Sequence, residues 1–222
     1  MIKTLRPKLE FLSKTFIQKI IDEALDVLER QGLFVENQEA LKLLKEAGMK
    51  VDASAQRVKI SSRLVEDSLS SAPSIIKLYD RKGEKEFIVG EDHVHFVPGS
   101  AAIFILDHKT SAQRKAVTED LVKFYRLIEC LENIHFQSTV IVSSDVPDFI
   151  SDSYRLFLGL QFSTKPCVTG TFRIEGFKPM GEMLVAIRGS DKNLEEKPLA
   201  IFDACPSPPL KWSNLTAQSL ID

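Results

Sequence analysis

Three β-rich segments begin at residues 134, 166 and 198, an even interval, and each interval holds one helical stretch. Strands separated by a single helix cannot close as hairpins; at this spacing they run parallel, with the helix as the crossover. That constraint restricts residues 118–222 to α/β architecture. The first segment runs from Ile134 to Ile141, the second starts at Pro166, and the third starts at Pro198 and ends near Asp203. A helix is predicted over roughly 149–162, and another carries Phe177, Met180, Met183, Leu184 and Ile187 on one stripe. Ahead of the first strand, Thr118-Glu119-Asp120 reads as a cap with an acidic first turn, which complements the helix dipole. Leu121, Phe124, Tyr125, Ile128 and Leu131 then form one apolar face. Spacing alone leaves open whether the sheet is doubly wound or part of an eight-stranded barrel.

Upstream the periodicity is different. Phe16, Ile17, Ile20, Ile21, Ala24, Leu25 and Leu28 recur at helical spacing, and Gly32 supplies the stop. Asn37 can cap a second helix ending at Gly48; a strand over Arg57 to Ile60 precedes a third helix that Pro73 closes. Residues 75–80, 86–89, 94–97 and 102–106 are short β-rich runs separated by turn residues, as in antiparallel hairpins. Residues 1–117 are therefore expected to form an α+β extension, and 118–222 the first units of the strand–helix repeat. Leu215, Ala217, Leu220 and Ile221 begin an amphipathic helix that stops at Asp222. The expectation is a chain truncated partway through the repeat.

Composition excludes several function classes. Lys and Arg number 29 against 31 Asp and Glu, a formal charge of -2, which leaves no electrostatic footprint for nucleic acid or a membrane surface. No run approaches the ~18 apolar residues of a membrane span, and the basic N-terminal segment lacks a signal-peptide core. Cys130, Cys167 and Cys205 lie far apart, so no disulfide framework is expected and a reducing, cytoplasmic location is. No phosphate loop, dinucleotide fingerprint, nucleophile elbow or Cys-x-x-Cys pair occurs. His93 and His95 share a strand face, but no third ligand accompanies them; packing is the preferred reading and no metal site is assigned.

Within the strands, Ile134, Phe136 and Val140 suit a helix layer, leaving His135, Gln137 and Thr139 on the opposite face. Val168 and Phe172 alternate in the same way with Cys167, Thr169 and Thr171. In a barrel that polar face points inward, toward the strand C-termini where barrel active sites lie. Asp203 is the sharpest candidate, because a carboxylate closing an apolar strand must be hydrogen-bonded, paired or in use.

Several stretches together resemble the trimethylamine methyltransferase family. They are Asn133-Ile134-His135-Phe136-Gln137-Ser138-Thr139, Ser144-Asp145-Val146-Pro147, Ile150-Ser151-Asp152-Ser153-Tyr154-Arg155, and Asp203 through Cys205-Pro206-Ser207-Pro208-Pro209-Leu210-Lys211-Trp212. Leu9-Glu10-Phe11-Leu12 and the turn after Leu106-Asp107 fit as well. The match runs over nearly all of the chain, and the Ser-Pro-Pro-Leu segment is the most specific part. The resemblance implies a TIM (β/α)₈ barrel of about twice this length, with this chain holding the N-terminal extension and about three barrel strands. It further implies methyl transfer from a tertiary or quaternary methylated amine, such as trimethylamine or a betaine, to the cobalt of a corrinoid protein. The corrinoid would belong to that partner and not to this chain, and the full-length protein would be a homo-oligomer. Some members carry pyrrolysine, at a position beyond the end of this sequence. On that reading Asp203 balances substrate charge, Gln137, Thr139, Thr169 and Thr171 line the cavity, and Trp212 either packs or faces a bound cation. No catalytic residue is assigned.

Two rival readings differ in kind. A zinc-dependent methyltransferase on a similar barrel would need a Cys/His cluster, which the separated Cys167 and Cys205 do not supply. A non-catalytic binding module built on a partial barrel would have to fold cooperatively despite unpaired strand edges.

Overall fold

A computed structural model describes residues 9–222; the first eight residues of the expected extension lie outside it. In chain order the elements begin with α1 (Lys14–Arg30), β1 (Leu33–Val35), α2 (Gln38–Glu46), β2 (Lys50–Asp52), β3 (Arg57–Lys59) and α3 (Ser62–Ser71). There follow β4 (Ile76–Tyr79), β5 (Glu86–Val89), β6 (Phe104–Leu106), β7 (Gln113–Lys115) and α4 (Thr118–Glu129). Then come β8 (Gln137–Ser138), a 3₁₀ turn at Asp148–Ile150, α5 (Ser151–Phe162), β9 (Cys167–Thr169) and α6 (Ile174–Arg188). The last are α7 (Asp191–Glu196), β10 (Ala200–Phe202), β11 (Lys211–Trp212) and α8 (Asn214–Ile221). The described residues divide into two compact units, residues 9–72 with 207–213, and residues 73–206 with 214–222.

In the first unit the helix caps follow their side chains. Ser13 and Asn37 accept from the N–H groups of Phe16 and Ala40, each satisfying one orphan donor of a first turn. The sheet has the order β11-β1-β3-β2, with β1 antiparallel to β3 and parallel to β11. Its core is small: Val35 and Val58 are fully buried, with Leu33, Ala40, Leu41 and Ile60 around them. Gly32 cannot carry a side chain, since its φ is +69° and a Cβ would stand 2.3 Å from the Val58 carbonyl oxygen. The apolar stripe of α1 is left open among the described residues: no residue of that helix is buried.

In the second unit β4 pairs with β5 and β6 with β7 as antiparallel hairpins. The expected run at 94–97 forms no strand. The even interval has its structural counterpart in a parallel sheet of order β10-β9-β8, with α5 and then α6 plus α7 as crossovers. Its register aligns Gln137, Cys167 and Ala200, then Ser138, Val168 and Ile201. Among the described residues there are several small sheets and no closed barrel. Thr118 is the first residue of α4 and not its cap; the Asp120 carboxylate reaches back to the Val117 N–H.

Both faces of the parallel sheet are covered. In β8 and β9 the phase is the reverse of the expected one, although Val140, just past β8, does pack with Tyr125 and Leu158 in the helix layer; in β10, Ala200 and Phe202 face that layer and Ile201 the other side. Cys167 packs with Leu156, Leu160, Met180, Leu184 and Leu199, in the layer of α5 and α6. Phe136 packs with Leu78 and Phe87 of the first hairpin, alongside Val168 and Ile201. The hairpin thus supplies the apolar cover for Phe136, Val168 and Ile201.

Candidate functional site

The C-terminal ends of β9 and β10 open into a cavity of 210 Å³. Its wall includes Ser100, Arg155, Thr171, Phe172, Asp203 and Cys205, and the opening turn of α8 closes one side through Leu215 and Thr216. Asp203 is placed by the ladder itself, its N–H donating to the Thr169 carbonyl at 2.8 Å. The side chain is exposed and, among the described residues, has no hydrogen-bond or ion-pair partner. Gly170 makes this approach possible, since a Cβ there would lie 3.0 Å from both the carbonyl oxygen and a carboxylate oxygen of Asp203. Thr171 contributes a buried hydroxyl without a hydrogen-bond partner among the described residues.

Beneath the cavity lies a buried polar layer. Arg155, on the inner side of α5, is among the largest fully buried side chains. Its Nη2 donates to Asp152 Oδ1 at 2.8 Å, and its Nη1 to the Thr139 carbonyl at 2.8 Å. The other oxygen of Asp152 accepts from the Phe172 N–H at 2.8 Å, and the guanidinium sits 4.8 Å from the centroid of the Phe172 ring. The Thr139 and Thr169 hydroxyls meet at 3.2 Å, and the Gln137 amide donates to the Tyr125 carbonyl at 3.0 Å. Burial pushes the Tyr125 hydroxyl up, and it pushes the Cys167 thiol up to about 12, so neither ionises near neutral pH.

Of the six residues predicted to bind substrate, the structure brings Thr171 and Asp203 together on the cavity wall. Gln137, Thr139 and Thr169 are each 1% exposed and face the helix layer. Trp212 belongs to the first unit, on β11, where it pairs with Val35 of β1. Sequence reasoning missed Asp152 and Arg155 as parts of the site. The available signal was a pair of opposite charges at i and i+3, next to Leu156 on the stripe of α5 that must be buried. It also assigned Phe172 to the helix layer, whereas the residue is 59% exposed and lines the cavity.

A second cavity, of 450 Å³, lies near the strand N-termini and is lined by Asp80, Lys85, Glu129, His135 and Lys165 among others. Its central charges are spent on the scaffold. Lys165 Nζ donates to the carbonyls of Ile128, Leu131 and Ile134 at 2.5, 2.8 and 2.6 Å, at the end of α4. Glu129 accepts from Ser163 and Thr164; burial pushes its carboxyl up, but these hydrogen bonds outweigh that and hold it below its ordinary value. The segment carrying His95 forms no strand, and His95 packs, as preferred. His95 Nε2 donates to the Ile88 carbonyl (2.7 Å), and the ring stacks on Phe136 and meets His135 edge-on at 5.0 Å. Burial, with His95 adding to it, depresses the His135 imidazole. Among the described residues no three His, Cys, Asp or Glu side chains converge as a metal-binding group. None of their helices is long and apolar enough to cross a membrane.

Comparison with known proteins places these features. The family model described as trimethylamine methyltransferase (MTTB) matches residues 1–222. The chain is 28% identical over 198 residues to the trimethylamine methyltransferase MttB of Desulfitobacterium hafniense (strain DSM 10664 / DCB-2), covering 89% of this chain and 40% of the relative. It is also 28% identical over 211 residues to the glycine betaine methyltransferase of Desulfitobacterium hafniense (strain Y51), covering 95% and 43%. A third relative, the L-carnitine:corrinoid methyltransferase of Eubacterium limosum, is 30% identical over 163 residues, 70% of this chain and 32% of that protein. The chain thus spans about two fifths of the length of the first curated relatives it matches. Over its whole length, the chain belongs to the trimethylamine methyltransferase family of corrinoid methyltransferases that act on methylamines and betaines.

Proposed function

We propose that the protein transfers a methyl group from a methylated amine or betaine to the cobalt of a separate corrinoid protein. The observation that carries this reading is the unpaired Asp203 carboxylate on the wall of a cavity at the ends of parallel strands. In open and closed parallel sheets alike, ligands bind at that end. A methylated ammonium cannot be held by hydrogen bonds once all four substituents are carbon. It is held by negative charge and by aromatic faces, which Asp203 and Phe172 offer together. The corrinoid, supplied by the partner, brings the cobalt nucleophile that accepts the methyl group. The residues of this chain bind the substrate, orient its methyl–nitrogen bond toward the partner, and exclude water.

On this reading residues 118–222 are the first strand–helix units of a (β/α)₈ barrel and residues 1–117 its extension. The remaining strands of the barrel would complete the cavity. Substrate contacts move from strand interiors to strand ends, so Thr171 and Asp203 stay in the binding set. Gln137, Thr139 and Thr169 support it from below. A cytoplasmic homo-oligomer docking its corrinoid protein over the cavity mouth fits the balanced charge and the free cysteines.

The test uses the full gene product and its corrinoid protein, with methyl transfer followed by the absorbance change of the corrinoid. Trimethylamine and glycine betaine are the first substrates to try. Asp203→Asn removes the charge while keeping the shape, and kcat/KM is expected to fall by about tenfold, as for one lost charge–charge contact with the substrate. Unchanged affinity and turnover in that variant would remove Asp203 from the site.

A further inference from the structure

Phe172 poses a physical question. It is an apolar residue, 59% exposed, so burial does not fix its place on the cavity wall. Two other contacts do. Its N–H donates to Asp152 Oδ2, and its ring lies against the Arg155 guanidinium. Both come from one ion pair whose side chains are 5% and 2% exposed. The same guanidinium holds the Thr139 carbonyl just past β8, so a single pair ties the end of one strand to the segment leaving the next. Stability alone does not call for this arrangement. Well-packed apolar side chains in the place of a buried pair give equal or greater stability, because two charges need not then be taken out of water.

We infer that Asp152 and Arg155 are positioning residues, which hold the Thr171–Phe172 segment so that the Phe172 ring faces a methylated ammonium group in the cavity. This rests on the functional reading above and assigns the substrate contact to Phe172, with the pair acting through it. One face of the ring is braced by Arg155; the rest is left to the ligand. Arg155 carries no net charge into the cavity, because Asp152 offsets it, and Asp203 remains the uncompensated group facing the substrate.

Affinity of the full gene product for tetramethylammonium, measured by calorimetry, tests this apart from catalysis. D152A and F172A are each expected to weaken binding about tenfold, the scale of one lost cation–aromatic contact. The double variant D152A/F172A is expected to be no weaker than F172A alone, since Asp152 acts through the ring. R155K serves if D152A does not fold: it keeps the charge but lacks the planar fork, so it too should weaken binding and be non-additive with F172A. Multiplicative losses, near a hundredfold in either double variant, would mean that the pair acts on the whole fold and would overturn the inference. Wild-type affinity in D152A or R155K would overturn it as well, with the functional reading left standing. No binding of tetramethylammonium by the wild type would overturn both together.

Discussion

Replacing Arg155 by Met keeps most of the volume of the side chain and removes its charge, which makes it a direct probe of the buried layer. Two losses follow. The Asp152 carboxylate, 5% exposed, keeps only the Phe172 N–H, and the Thr139 carbonyl loses its donor. Removing one partner of a buried pair costs about 3–5 kcal/mol, most of it from the charge left behind. Asp152→Ala/Arg155→Met removes that charge too. What remains is a main-chain N–H near solvent and one buried carbonyl, each worth about 1 kcal/mol, so the double variant should be more stable than Arg155→Met alone by about 2 kcal/mol. Urea unfolding of the gene product, followed by far-UV circular dichroism, reads the difference. A cost under about 1 kcal/mol for Arg155→Met, or a double variant less stable than the single, would show that the layer is hydrated and the reasoning unsound.

Other expectations can be checked separately. Under native conditions a thiol reagent should modify the exposed Cys130 and Cys205 but spare Cys167, whose thiol burial pushes up to about 12; Cys167 should react only on unfolding. Arg114 grips Asp120 with two hydrogen bonds and Asp107 with one, and it holds both carboxyls below their ordinary range. A lowered folded-state pKa contributes stability that is complete above the unfolded value near ~4 and is lost as pH falls through the folded one. Arg114→Ala should therefore be less stable at pH 7 and lose less than the wild type between about pH 4 and 2, in parallel denaturation series. Gly170→Ala should displace Asp203 and lower kcat/KM with a smaller change in unfolding temperature, since the added methyl meets Asp203 at 3.0 Å.

The parts of the fold that repeat were legible. Helical periodicity located α1 through α4 to within a few residues, and Asn37 is the cap that its side chain suggests. The even spacing of the last three strands carried their parallel pairing. What was not legible depends on partners distant in the chain. β11 adds in parallel to β1 across most of the sequence, and no local pattern around Trp212 announces it. Likewise, the exposed stripe of α1 reads the same whether or not anything covers it.

The reversal of phase in β8 and β9 has a deeper cause. Alternation identifies the buried face only where the other face meets water, and a parallel sheet is covered on both. Here both covers exist, the helices on one side and the β4–β5 hairpin on the other. Hydrophobicity therefore could not choose between them, and the choice fell to hydrogen bonding. Gln137 turns toward α4, where the Tyr125 carbonyl accepts from its amide, and on the same face the Thr139 hydroxyl pairs with that of Thr169 on β9. The apolar side chains are divided between the faces: Phe136, Val168 and Ile201 meet the hairpin, while Cys167, Ala200 and Phe202 meet the helix layer. A ligand consequently meets this chain where the alternation stops mattering, in the residues just past the paired strands: Thr171 and Phe172 after β9, and Asp203 after β10. Substitutions at Gln137 or Thr139 should then lower stability in proportion to activity, while those at Asp203 should separate the two.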